Sequence, residues 1–175
     1  DRAWRVFHGI EWRSVSKYGE QIGEADLILF HPDLGILVAE IKSGGVRLEG
    51  GVWFHGNPHD DSSDLPMKMS PFGQARRSHF HFLTRLKNTP LGRGILNDTA
   101  FTHTAWFPDF EWTGALPPDF PSGAFLLDSR HLSNPEKHLR NILTQSHPDA
   151  KPWTQREADI LIRSIAPEVY LTPPL

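Results

Sequence analysis

The 175 residues include no cysteine, 38% are hydrophobic and 22% charged, and the formal net charge is −3. That length suits one core of ordinary size, the composition is that of a globular domain, and the charge supplies no global basic field, so a nucleic-acid partner would need a local patch. Disulfides, thiolate zinc sites and cysteine nucleophiles are excluded; with no apolar run near the ~20 residues of a membrane span and no signal peptide, a soluble cytoplasmic protein is expected.

Alternating bulky residues in "DRAWRVFHGIEW" (Trp4, Val6, Ile10, Trp12) predict a first strand with a bend at Gly9. "KYGEQIG" reads as a turn. Two apolar strands come next, Glu24 to Phe30 and Ile36 to Lys42, joined through "HPDLG". Pro32 and Asp33 suit a type I turn there, and Gly35 a left-handed position. Both strands are apolar on each face, as central strands covered on both sides are. Around Gly50 and Gly51, "VRLE" and "VWFHG" predict a second hairpin, and "NPHDDSSDLPMKM" a polar loop. Ser70 and Pro71 mark a helix start, and Phe72, Ala75, Phe82 and Leu86 share one flank of a helix running to Lys87. A loop covers 88–94. "AFTHTAWFP" and "GAFLLD" read as strands separated by a proline-rich connection over 108–122. Helices from Pro135 to Gln145 and Thr154 to Ile165 close the chain, Thr154 and Glu157 forming a capping box. This order predicts an α/β sandwich on one mixed sheet, a single domain over 1–170 with a linker at 171–175. The lack of an initial methionine and the closing "LTPPL" read as a domain of a longer protein.

The hairpin carries an anomaly for so apolar a segment: Glu24, Asp26, Glu40 and Lys42. Side chains alternate along a strand, and a register pairing His31 with Gly35 sets Asp26 opposite Glu40 and Glu24 opposite Lys42, all on one face. Carboxylates facing each other across a ladder, roughly 5 Å apart, repel unless something positive lies between them. A divalent cation meets that need. Two carboxylates, a backbone carbonyl such as that of Ile41 and several waters make a Mg²⁺ or Mn²⁺ site open to a phosphate. Lys42 would then orient the nucleophile or neutralise charge building on phosphorus oxygens. The bland alternative is an ordinary ion pair at a strand end, nearly neutral in energy.

The ordered string resembles the D…(D/E)xK signature of restriction-endonuclease-like nucleases, and specifically the NERD (nuclease-related) domain, often fused to DNA helicases or to kinases. "GEADLILF" is similar to that family's G-E-x-D strand through Glu24 and Asp26. "GILVAEIKSGGVRLEGGVW" is similar to its E-x-K strand, the glycine beyond it and the later tryptophan, through Glu40, Lys42, Gly45 and Trp53. "SPFGQARR" resembles its N-P-x-x-Q segment, with Gln74 as the site glutamine and Ser70 departing from the asparagine. The resemblance covers residues 1–130. It implies a restriction-endonuclease-like three-layer sandwich, a central mixed sheet flanked by helices, with phosphodiester hydrolysis on nucleic acid, DNA before RNA. Members of that group place a helix before the first strand, whose glutamate helps to hold metal. This chain starts at the first strand, and Glu24 is the substitute that the register offers.

Gln74, one turn into its helix, can donate to a phosphate or to an attacking water near the positive helix end. Arg76, Arg77, Arg85 and Lys87 make this the most basic element. Arg76 and Arg77 are read as phosphate contacts, Arg85 and Lys87 as solvated charges favourably placed at a helix C-terminus. "HDDSSD" (59–64) lacks the glycine and distal glutamate of a calcium loop and reads as a flexible acidic loop. His79 and His81, two apart on a helix, point away from each other, and neither is expected to hold metal. Trp53 and Trp106 are expected to pack. The expected function is a metal-dependent nuclease domain. Its rivals are an inactive nucleic-acid-binding or docking module attached to a helicase, and a structural α/β domain whose hairpin charges are mere ion pairs.

Overall fold

The computed structural model describes residues 3–17, 19–57 and 60–166. Its strands and helices are, in chain order, β1 (Arg5–Ser16), β2 (Gly19–His31), β3 (Gly35–Ile41), β4 (Gly45–Glu49), β5 (Val52–Asn57), β6 (Asp60–Pro66), α1 (Pro71–Lys87), α2 (Gly94–Asn97), β7 (Ala100–Phe107), β8 (Leu126–Asp128), α3 (Pro135–Ser146) and α4 (Gln155–Ile165). A mixed five-stranded sheet has the order β1-β2-β3-β7-β8: the first three strands form an antiparallel meander, and β7 and β8 are added in parallel. The excursion from β3 to β7 carries β4, β5 and β6, a separate antiparallel sheet, and then α1.

The β2–β3 hairpin adopts the expected register, His31 paired with Gly35 and Leu27 with Ala39. Its turn closes with Leu34 N–H donating to the His31 carbonyl at 3.1 Å and Asp33 N–H donating to His31 Nδ1 at 3.1 Å. Gly35 is required twice over. Its φ is +117°, and a Cβ there would sit 2.0 Å from the Ala100 carbonyl oxygen of the adjacent β7.

Alternation along these strands sorts the core into two. Ile28, Phe30, Ile36 and Val38 pack with Phe82 and Leu86 of α1 and Ala158, Leu161 and Ile165 of α4. Leu29, Leu37 and Ala39 belong to the other cluster, with Leu139, Ile142 and Leu143 of α3. Helices thus cover both faces, which is why β3 could be apolar throughout. Helix α1 begins where expected: Ser70 Oγ accepts from Gly73 N–H at 2.9 Å, and Pro71 occupies the first turn. The Thr154–Glu157 capping box of α4 is formed.

The single-sheet expectation is corrected by the second sheet. The stretch 57–69, read as a loop, supplies β6, pairing with β5. Ladder pairing uses backbone groups alone, and a polar edge strand without apolar alternation leaves no periodic signal. "KYGEQIG" is mostly strand, since β2 begins at Gly19 and pairs with β1 up to Ser16. Short α2 interrupts the region after α1. Trp53 is buried and stacks on Phe107 at 5.9 Å; Trp106 is half-buried and donates its indole N–H to the Asp128 carbonyl at 3.2 Å. The linker expected at 171–175 lies outside the described residues. Among those described, no helix is long and apolar enough to cross a membrane.

Candidate active site

Asp26 and Glu40 stand one position beyond the last paired residues, Leu27 and Ala39. The ladder opens there because Asp26 Oδ2 accepts from Ile41 N–H at 2.7 Å, a carboxylate taking the place of a strand carbonyl. The next N–H, that of Lys42, turns the other way, to the Trp106 carbonyl at 2.9 Å. Backbone and side chain together hold the E-x-K end of β3 between its two neighbours.

Glu40 is only 5% exposed. Burial raises its pKa above the ordinary value of 4.5; the Lys42 ammonium, 2.5 Å from Oε1, opposes the rise without cancelling it, and Asp26 and Glu24 add to it. Lys42 Nζ also donates to Gln74 Oε1 at 3.0 Å, and Gln74 Nε2 donates to the Met69 carbonyl at 2.9 Å. Both ends of that amide are therefore occupied, and its role here is to hold the lysine. A cap at Ser70, whose hydroxyl also donates to Asp119 Oδ2 at 2.5 Å, sets the helix start that delivers Gln74.

A cleft of about 370 Å³ opens over this group, lined by Glu24, Glu40, Gln74, Arg77, Trp12, Ser78 and the 67–69 segment, among others. Glu24 faces it; the hairpin ladder ends at Leu27 and Ala39, so Glu24 is not paired opposite Lys42, and of the two ion pairs open to Lys42 the one formed is with Glu40. Arg77 lies with its guanidinium 4.7 Å over the Trp12 ring and donates to the Ile22 carbonyl at 3.3 Å. Arg76 is exposed and not part of the cleft wall; it sits close enough to His103 to depress that imidazole's pKa.

Trp12 and Ser78 are site residues that sequence reasoning missed. The indole N–H donates to Ser78 Oγ at 3.0 Å, and the Ser78 hydroxyl donates to the Glu24 carbonyl at 3.1 Å, bolting β1 and β2 to α1. Gly23, paired with Trp12 across the ladder, leaves room for the ring: a Cβ there would lie 2.3 Å from it. The available signal was a glycine facing a tryptophan once the β1–β2 register is drawn. Also missed was His79 with His103, Nδ1 to Nδ1 at 2.9 Å, between α1 and β7. His81 points away, stacking on Trp12 at 4.6 Å, so the helical argument for the two histidines holds. Asp128 was missed as well. It is fully buried, accepts from Arg130 and the Trp112 N–H, and lies in contact with His131 Nδ1, which accepts from the Asp128 N–H.

Asp26 Oδ1 and Glu40 Oε2 make no hydrogen bond among the described residues. No group of three or more His, Asp or Glu side chains converges as a metal cage among those residues. No protein-family model, curated protein or solved structure matches this chain.

Proposed function

We propose that this chain is a metal-dependent nuclease domain of the NERD type, with a restriction-endonuclease-like core. It hydrolyses phosphodiester bonds of nucleic acid, DNA before RNA, as part of a larger protein such as a DNA helicase. The observation that carries the reading is the opened hairpin end. Asp26 bonds the Ile41 N–H on the adjacent strand, between Glu40 and a lysine that is itself aimed by Gln74, and Glu40 and Gln74 line a cleft with Arg77 on its wall. An antiparallel meander followed by parallel strands, with helices on both faces, is a scaffold compatible with that core.

The donor set suits a hard cation. Asp26 Oδ1 and Glu40 Oε2 are the available oxygens, with the Ile41 carbonyl as a third and Glu24 at the cleft edge, and water and substrate phosphate complete such a shell. Bound Mg²⁺ or Mn²⁺ supplies Lewis-acid stabilisation of phosphate charge and a more acidic water. Lys42 adds a fixed positive charge toward the phosphorus oxygens, Gln74 keeps it from swinging away, and Arg77 holds a neighbouring phosphate.

Cleavage of single-stranded DNA, duplex DNA and RNA with Mg²⁺ or Mn²⁺ tests this. Wild-type protein should cut, and Asp26→Asn and Lys42→Ala should each lose about 100-fold or more in rate while melting cooperatively. Activity that neither substitution changes would sink the assignment.

A further inference from the structure

We propose that the outer face of α1 is a track for single-stranded DNA, with Phe80 the platform on which one base stacks. The inference rests on the nuclease reading and adds the form of the substrate. From Pro71 to Lys87 the helix carries Arg76, Arg77, Arg85 and Lys87 and no acidic residue. Phe80 stands one turn after Arg76 and Arg77 and two turns before Lys87, so helical spacing puts all four on one face.

Phe80 is 55% exposed, and it is the one Phe, Tyr or Trp among the described residues that is exposed rather than buried or half-buried. Its ring stacks on His79, centroids 4.8 Å apart and planes 10° apart. His79 is buried at 7% exposure and is fixed in turn by His103. A buried imidazole, itself held by His103, therefore backs the ring, and the exposed side offers a flat, pre-set apolar surface. Along its length a duplex offers base edges and phosphates; only unpaired bases can lie flat on such a ring. Arg77 belongs to both surfaces, lining the cleft and preceding Phe80 by three residues, about one helical turn. A strand with a phosphate in the cleft then continues along a basic helix onto the platform.

Fluorescence anisotropy with labelled oligothymidylate and with a blunt duplex of equal length, both in EDTA, tests the track. Phe80→Ala should weaken single-strand binding about tenfold and leave duplex binding unchanged, while Phe80→Trp should keep or tighten it. Arg76→Ala should flatten the salt dependence of single-strand binding. An unchanged single-strand affinity in Phe80→Ala, an equal loss on both probes, or no binding of oligothymidylate by wild type overturns the proposal. Chelation keeps the acid pair out of this readout, so the Asp26→Asn cleavage assay decides the nuclease reading separately.

Discussion

Glu40 is the residue at which stability and chemistry pull in opposite directions. Burial lifts its pKa above 4.5 in the fold, so the neutral acid is the form the fold prefers. Its favourable contribution is therefore complete below 4.5 and is lost as pH rises through the folded value. On the nuclease reading, a divalent cation held by Glu40 offsets that loss. Mn²⁺ should accordingly raise the melting temperature more at pH 7 than at pH 5, because at lower pH it must displace a proton. Glu40→Gln should abolish the Mn²⁺ shift at both, as read by differential scanning fluorimetry; an undiminished shift would place the metal elsewhere. Gln74 makes a subtler case. Its amide is fully used between Lys42 and Met69, so Gln74→Ala should lower the cleavage rate about tenfold, less than Lys42→Ala, through a lysine left free to wander. The sequence marked Gln74 for the candidate site but not its bond to Lys42, because a phosphate donor and a lysine clamp have the same sequence.

At the scale of elements, the parts written in strong local code were readable and those that rely on distant partners were not. The β2–β3 hairpin was legible to its register because an apolar run, a Pro-Asp turn and a required glycine all agree. The start of α1 at Ser70–Pro71 and the box on α4 carry equally local signals. Strand β6 carries none, and neither does the tie that Asp128 makes between β8 and the connection over 108–122. Burial alone would raise the Asp128 pKa. The Arg130 guanidinium, the N–H groups of Trp112 and Arg130, and His131 outweigh it and hold it at about 2. An acid two residues before an arginine looks like a surface ion pair until β8 takes its place beside β7 and the carboxylate is buried. Asp128→Asn should destabilise the domain by on the order of 3 kcal/mol, since it leaves buried donors facing an amide. Chemical denaturation at pH 7 measures that loss. Because the folded pKa lies below the ordinary 3.8, the contribution is present above 3.8 and disappears as pH falls toward 2.

For the whole molecule, the sheet separates two cores, and the cleft sits where the core under α1 and α4 reaches the end of the hairpin. Whatever loosens α1 from the sheet should therefore move Gln74, Arg77 and Ser78 together, and the His79–His103 pair is the joint most exposed to a change of pH. Burial, with a smaller push from Lys87, lowers His79 to about 4; burial, with His79 and Arg76, lowers His103 to about 3. The pair shares one hydrogen bond and leaves each Nε2 buried without a partner, so neither ring can take up a proton without breaking the packing around it. Both folded values lie below the ordinary 6.5, so the unfolded chain binds protons first as pH falls. The stability these two neutral rings contribute is complete above 6.5 and drains away as pH falls from 6.5 to about 4 for His79 and about 3 for His103, at up to about 1.4 kcal/mol per pH unit for each proton. His31, His81 and His138 are also lowered and would add to the same acid limb. The double substitution His79→Leu/His103→Leu isolates the pair, because those three histidines remain in both proteins and cancel in the difference. Denaturant midpoints between pH 7 and pH 4.5 should fall more steeply for wild type than for the double variant, and parallel curves would show that acid reaches the fold by another route.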